Sequence, residues 1–167
     1  MNYLEIILQD LRKNQLDKLV FEEFHVSTSN VKSSHFFDNI NGKDIEFYQI
    51  KNLQNVLSPS GTGNVYVRNL DIGCNLENVV MVFSFDHYFG DITLNFPENE
   101  LFTGDSLKLR MRIKNLVTFL IRLKEKYEIP AIRIGFEPAS EDDSCLVEIG
   151  QNAFDADSIV EKLMSQC

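Results

Sequence analysis

What this sequence has little of narrows its function first. No apolar run approaches the roughly 20 residues needed to cross a bilayer, and the opening MNYLEIILQD carries acidic residues early without the basic start of a secretory signal. A cytoplasmic protein without membrane contact is therefore expected. Cysteine is scarce: Cys74, Cys145 and Cys167 are odd in number and widely separated, so they describe neither a disulfide framework nor a zinc site. A reducing compartment fits them. Positive charge is short as well, with 16 Lys and Arg against 25 Asp and Glu for a net charge of −9. The deficit is local, because eight acidic residues face Lys162 alone between Glu137 and Cys167, while 17 acidic and 15 basic residues share the first 136. Such a surface repels nucleic acid phosphates and anionic membrane and attracts a basic protein.

Catalytic signatures are missing too. Pro59-Ser60-Gly61-Thr62-Gly63-Asn64 is rich in glycine but lacks the Gly-Lys-Ser/Thr ending that holds phosphate and magnesium, so it reads as a surface turn. No Gly-flanked serine of the hydrolase kind occurs. His25 and His35 stand ten residues apart with no Cys or close acidic partner at zinc spacing. The adjacent carboxylates Glu141, Asp142 and Asp143 lack the spaced ligands and closing glutamate of a calcium loop. No catalytic residue, metal ligand or cofactor is assigned.

What is present is organised around Val79 to Phe96, VVMVFSFDHYFGDITLNF, two apolar runs flanking a polar centre, the pattern of a β-hairpin. Met81, Phe83 and Phe85 fall on one face of the first run, and Ile92, Leu94 and Phe96 on one face of the second. Asp86, His87, Tyr88 and Asp91 crowd the turn. They could form an acid-base or metal pair, but Asp86 and His87 point to opposite faces of a strand. A tip that contacts a partner is the preferred reading.

The remaining elements follow from periodicity. Leu4, Ile7, Leu11 and Leu16 predict a helix over residues 3 to 19, and Val20 to Ser27 an edge-like strand. Ile45 to Ile50 and Val65 to Leu70 read as further strands. LKLRMRI alternates with period two, yet Leu109, Ile113, Leu116, Val117, Leu120, Leu123 and Tyr127 line one helical stripe, so Ser106 to Tyr127 is assigned to helix. It ends at Ile129-Pro130. A second hairpin spans Ala131 to Phe136 and Cys145 to Ile149 across an acidic loop, and Asp155 to Ser165 closes the chain as a helix. The expected fold is α+β: a single domain over 1–167, mainly an antiparallel meander of about five to seven strands. A long helix near 105–127 and N- and C-terminal helices pack against it.

The stretch from YFGDITLNFPENELF through the long helix to IPAIRIGFEPASEDD resembles immunity proteins of bacterial contact-dependent inhibition and related polymorphic toxin systems, over roughly residues 79 to 150. The resemblance implies a protein that binds and neutralises a toxin domain, often a nuclease, in the cytoplasm of the producing cell. A nuclease site is basic because it holds phosphates, so an acidic surface can occupy it. Asp86, Tyr88 and Asp91 at the hairpin tip, or Glu137, Glu141, Asp142 and Asp143 in the acidic loop, are the candidate contacts. Two alternatives remain open. The element order and the low pI of about 4.8 are also similar to small acidic secretion chaperones, although the extra strands make this chain large for that group. A small hydrolytic or metal-dependent enzyme using His87 is the third reading.

Overall fold

The central hairpin forms as its alternation dictates. In a computed structural model, which describes residues 1–152 and 154–167, strands β5 (Asn75–Phe85) and β6 (Phe89–Pro97) pair in the register that sets Met81 opposite Leu94 and Phe83 opposite Ile92. All six apolar side chains of that face are buried. Six further strands extend the sheet: β1 (Tyr3–Arg12), β2 (Val31–Asp38), β3 (Lys43–Ile45), β4 (Gly61–Asp71), β7 (Ala131–Phe136) and β8 (Cys145–Ile149). Every neighbouring pair is antiparallel in the order β3-β2-β4-β5-β6-β1-β7-β8. Helices are α1 (Leu16–Lys18), α2 (Leu53–Val56), α3 (Ser106–Tyr127) and α4 (Ala156–Met164).

One row of the inner face runs Val65, Met81, Leu94, Ile6, Ile134 and Val147 across six strands. Each is buried, and each such side chain contributes about 1.5 to 3 kcal/mol by leaving water. Helix α3 closes over this core with the predicted stripe from Leu109 to Tyr127. Its ends are written locally: Asp105 caps the first turn by accepting from the Lys108 amide at 3.0 Å, and Glu128 adopts a left-handed φ of 52° just before Ile129-Pro130.

The α+β class, the long helix, the second hairpin and the C-terminal helix stand as expected, but the sheet has eight strands and its first element is not a helix. Residues 3–12 are β1, placed between β6 and β7. A strand in the middle of a sheet is flanked on both edges, and Ile7, alone among the outward positions Tyr3, Glu5, Ile7 and Gln9, is buried along with Leu4, Ile6 and Leu8, which breaks the period-two signal. A register shift between Leu8 and Leu11, with Asp10 at φ 55°, completes the resemblance to a helical stripe. This insertion also breaks the simple meander and removes the element order shared with secretion chaperones.

Three smaller corrections share a cause in tertiary contacts. Val20 to Ser27 begins within a π-helical turn, Leu19–Glu23, and forms no strand, with the Phe24 amide donating to Leu19 O at 3.0 Å. The strand read over Ile45 to Ile50 ends at Ile45 and gives way to a 3-10 turn, Phe47–Gln49. The glycine-rich stretch is a turn only to Ser60, because β4 begins at Gly61 and Gly63 lies opposite Phe36. A Cβ on Gly63 would come within 2.3 Å of the Phe36 ring, so this glycine makes room for the core.

Candidate functional site

The two groups of candidate residues sit at opposite ends of the sheet. Arg12, at the end of β1, pairs with Phe89 beside the β5–β6 turn, whereas the Glu137 amide donates to Tyr3 O at the start of β1. Ten residues of strand separate them, about 30 Å at the usual rise. Each end is therefore a separate surface.

At the hairpin end, the turn is fixed by its own backbone and by Lys13. The Asp86 carboxylate accepts from the amides of Phe89 at 2.8 Å and Tyr88 at 2.9 Å, and these two donors hold it below the usual carboxylate range. Lys13 donates its backbone amide to Tyr88 O at 2.8 Å, and its Nζ to Asp86 O at 2.8 Å and Pro59 O at 3.0 Å. It is 3% exposed. Burial lowers the lysine pKa, opposed in part by the Asp86 charge. Asp91 is half-buried on β6, where it accepts from the Asp10 amide at 2.9 Å; burial raises its pKa. Both aspartates are thus occupied with backbone. What the tip turns outward is aromatic: Tyr88 is 69% and Phe89 45% exposed, and the His87 ring stands edge-on to Tyr88 at 4.3 Å. Beside them lies a cavity of about 260 Å³ lined by Arg12, Lys13, Asn14, Gln54, His87, Tyr88 and Phe89. Gln54 is held in this wall because Asp17 accepts from the Leu53 and Gln54 amides at 2.7 and 3.1 Å.

At the other end, the acidic loop is anchored rather than free. Arg133, its side chain 11% exposed on β7, donates to Ser140 O at 3.0 Å and to Asp142 Oδ1 at 2.7 Å. Glu5 on β1 accepts from the amide of the buried Ala139 at 2.9 Å. Glu137, Glu141, Asp142 and Asp143 remain exposed. The result is a group of carboxylates held in place over the sheet edge.

A third cluster went unread in the sequence. Glu23 is 8% exposed and accepts from Lys126 Nζ at 2.5 Å, Arg122 Nη2 at 2.9 Å and Tyr127 Oη at 2.9 Å. Burial alone would raise its pKa, but the donors from Lys126, Arg122 and Tyr127 outweigh it and hold the carboxyl at about 2. The cluster ties the π-helical turn to the end of α3. Its partners are some 100 residues apart in sequence, and only the excess of basic residues near the α3 C-terminus pointed towards an acidic neighbour. Lys13 and Arg133 were missed likewise, although Lys13 continues the alternation of Leu11 and so falls where an apolar residue is expected.

His25 and His35 are both exposed, on a loop and on β2. Among the described residues no group of three or more His, Cys, Asp or Glu is arranged to hold a metal, and no helix is long and apolar enough to cross a membrane.

A search among curated proteins found no match. Among solved structures, the chain is similar to one in the crystal structure of the toxic C-terminal tip of CdiA from Pseudomonas aeruginosa in complex with immune protein. The TM-score is 0.65 at 14% identity, covering 88% of this chain and 94% of that one. At that identity the likeness is one of fold. A family model described as PABL017 Cdi1I immunity protein matches residues 2–152, from the start of β1 to just short of α4. That match takes in the whole sheet, both candidate ends and the long helix, and the chain belongs to the PABL017 Cdi1I immunity protein family.

Proposed function

We propose that this protein neutralises a cognate protein toxin by binding it, in the cytoplasm of the cell that makes it, and that it does so as a binding inhibitor rather than as an enzyme. Family membership over residues 2–152 carries this reading. The anchored acidic loop supplies one contact. Arg133 and Glu5 fix its backbone, so Glu137, Glu141, Asp142 and Asp143 meet a partner with little ordering cost. A basic toxin surface suits them, and a nuclease domain, which must hold phosphates, is the partner class that such a surface describes. Residues 1–167 act as one domain in this reading, because β1 from the start of the chain is neighbour to β7 from near its end.

The test uses the toxin domain encoded by the gene immediately upstream. Wild type forms a tight one-to-one complex whose association slows as salt rises. The triple variant Glu141→Gln, Asp142→Asn, Asp143→Asn associates roughly tenfold more slowly at low salt and with a flatter salt dependence, measured by stopped-flow mixing. Unchanged association at both salt concentrations removes the acidic loop from the interface. Failure of wild type to bind removes the toxin-binding reading itself.

A further inference from the structure

We propose that the cleft beside the β5–β6 turn is a second contact with the toxin and that it takes up a carboxylate side chain from the toxin surface. This rests on the toxin-binding reading and adds to it a contact of the opposite charge, about 30 Å along the sheet from the acidic loop.

The argument begins with Lys13. Its ammonium has three N–H donors, and two of them reach Asp86 O and Pro59 O, both neutral carbonyls. Among the described residues no carboxylate oxygen lies within 4.0 Å of it. A cation shut away from water without a counter-charge in direct contact is costly, and an arriving anion offsets that cost. Burial lowers the Lys13 pKa by more than the nearby Asp86 charge raises it, which is the direction of an ammonium only partly compensated. Lys13 forms part of the wall of the 260 Å³ cavity, beside Arg12 and His87. Arg12 has a partner in Glu128 at 3.3 Å, but both side chains are more than half exposed, so a second carboxylate can replace it at little cost.

The rim fits a protein better than a free anion. Tyr88 and Phe89 stand outward on a turn that Asp86 and the Lys13 amide have already fixed, so neither needs ordering on contact. Tyrosine and arginine around an open cleft are among the residue types that dominate binding energy at protein interfaces. Asp86, held ionised by the amides of Tyr88 and Phe89, opposes an incoming carboxylate in part, and Arg12 and Lys13 together outweigh that single charge.

The experiment has two arms on the full chain. Affinity for the upstream-encoded toxin domain is measured by calorimetry for wild type and for Tyr88→Ala and Arg12→Gln, both exposed changes that leave Lys13 in place. In parallel, the isotope-labelled protein is titrated with the tripeptide acetyl-Gly-Glu-Gly-amide and with inorganic phosphate while amide shifts are followed. The expected result is a roughly 30-fold loss of toxin affinity for Tyr88→Ala and a roughly tenfold loss for Arg12→Gln. The tripeptide, and not phosphate, should move the Lys13, Tyr88 and Phe89 amides. Wild-type affinity in both variants overturns the inference while leaving toxin binding by another surface intact. Silence towards the tripeptide, or a response to phosphate in its place, overturns the carboxylate as occupant. A wild-type protein that forms no toxin complex overturns both readings together.

Discussion

Glu23 and Lys13 lie ten residues apart, and both charged groups are nearly closed to solvent, yet the fold treats them in opposite ways. Glu23 meets three donors, two of them cationic, from one turn of α3. Lys13 meets two neutral carbonyls. The first charge is spent inside the molecule, where it fastens the π-helical turn to a helix made about 100 residues later. The second retains electrostatic capacity next to a cavity. Burial alone therefore does not tell these two kinds of charge apart; the number of opposite charges in direct contact does.

The largest effect expected of this contrast is on stability. Glu23→Ala strands Arg122, Lys126 and the Tyr127 hydroxyl, and a broken buried ion pair costs about 3 to 5 kcal/mol. Arg122 and Lys126 are half exposed and regain water, which places the loss near about 3 kcal/mol in urea unfolding. The same carboxyl sets a pH dependence. Its folded pKa is depressed to about 2, below the unfolded value near about 4.3, so its stabilisation is complete above the unfolded pKa and is lost as pH falls from about 5 towards 2. Urea midpoints at pH 7, 5 and 3 should fall in wild type and fall less steeply in Glu23→Gln; parallel curves would break the assignment.

Lys13→Met is expected to cost less, about 1 to 2 kcal/mol, because two carbonyls lose a donor while an uncompensated charge leaves the interior. A loss equal to that of Glu23→Ala would erase the distinction between the two sites. Smallest is Arg133→Gln, at about 1 kcal/mol or less, since its partners Asp142 and Glu148 are both more than half exposed. Its expected signature is faster amide hydrogen exchange across residues 137–144, with little change in the urea midpoint.

Local chemistry made much of this fold legible. The hairpin, α3 with its Asp105 cap and Pro130 stop, and β7 with β8 are each specified by alternation, stripe or turn residues close in sequence. The N-terminal strand was hidden because its neighbours, β6 and β7, lie some 80 to 130 residues away and cover Ile7 on the face that alternation would leave polar. The candidate site divides in the same way. Exposed carboxylates and the tip residue Tyr88 were readable from composition and turn position. Their anchoring was not, because Lys13, Arg133 and Glu5 reach Asp86, Asp142 and Ala139 across strands, and no spacing along the chain encodes such contacts.

The position of β1 has a consequence in time as well as space. It is made before the other seven strands of the sheet, and both of its neighbours come later: β6 ends at Pro97 and β7 at Phe136. Its apolar side chains wait without a strand partner until β6 is made, and its second edge stays open until β7 follows. High contact order of this kind slows folding and leaves a hydrophobic strand open to capture by other chains. The sheet therefore closes around β1, and the loop anchored on its first residues takes its place, only once β7 has been made.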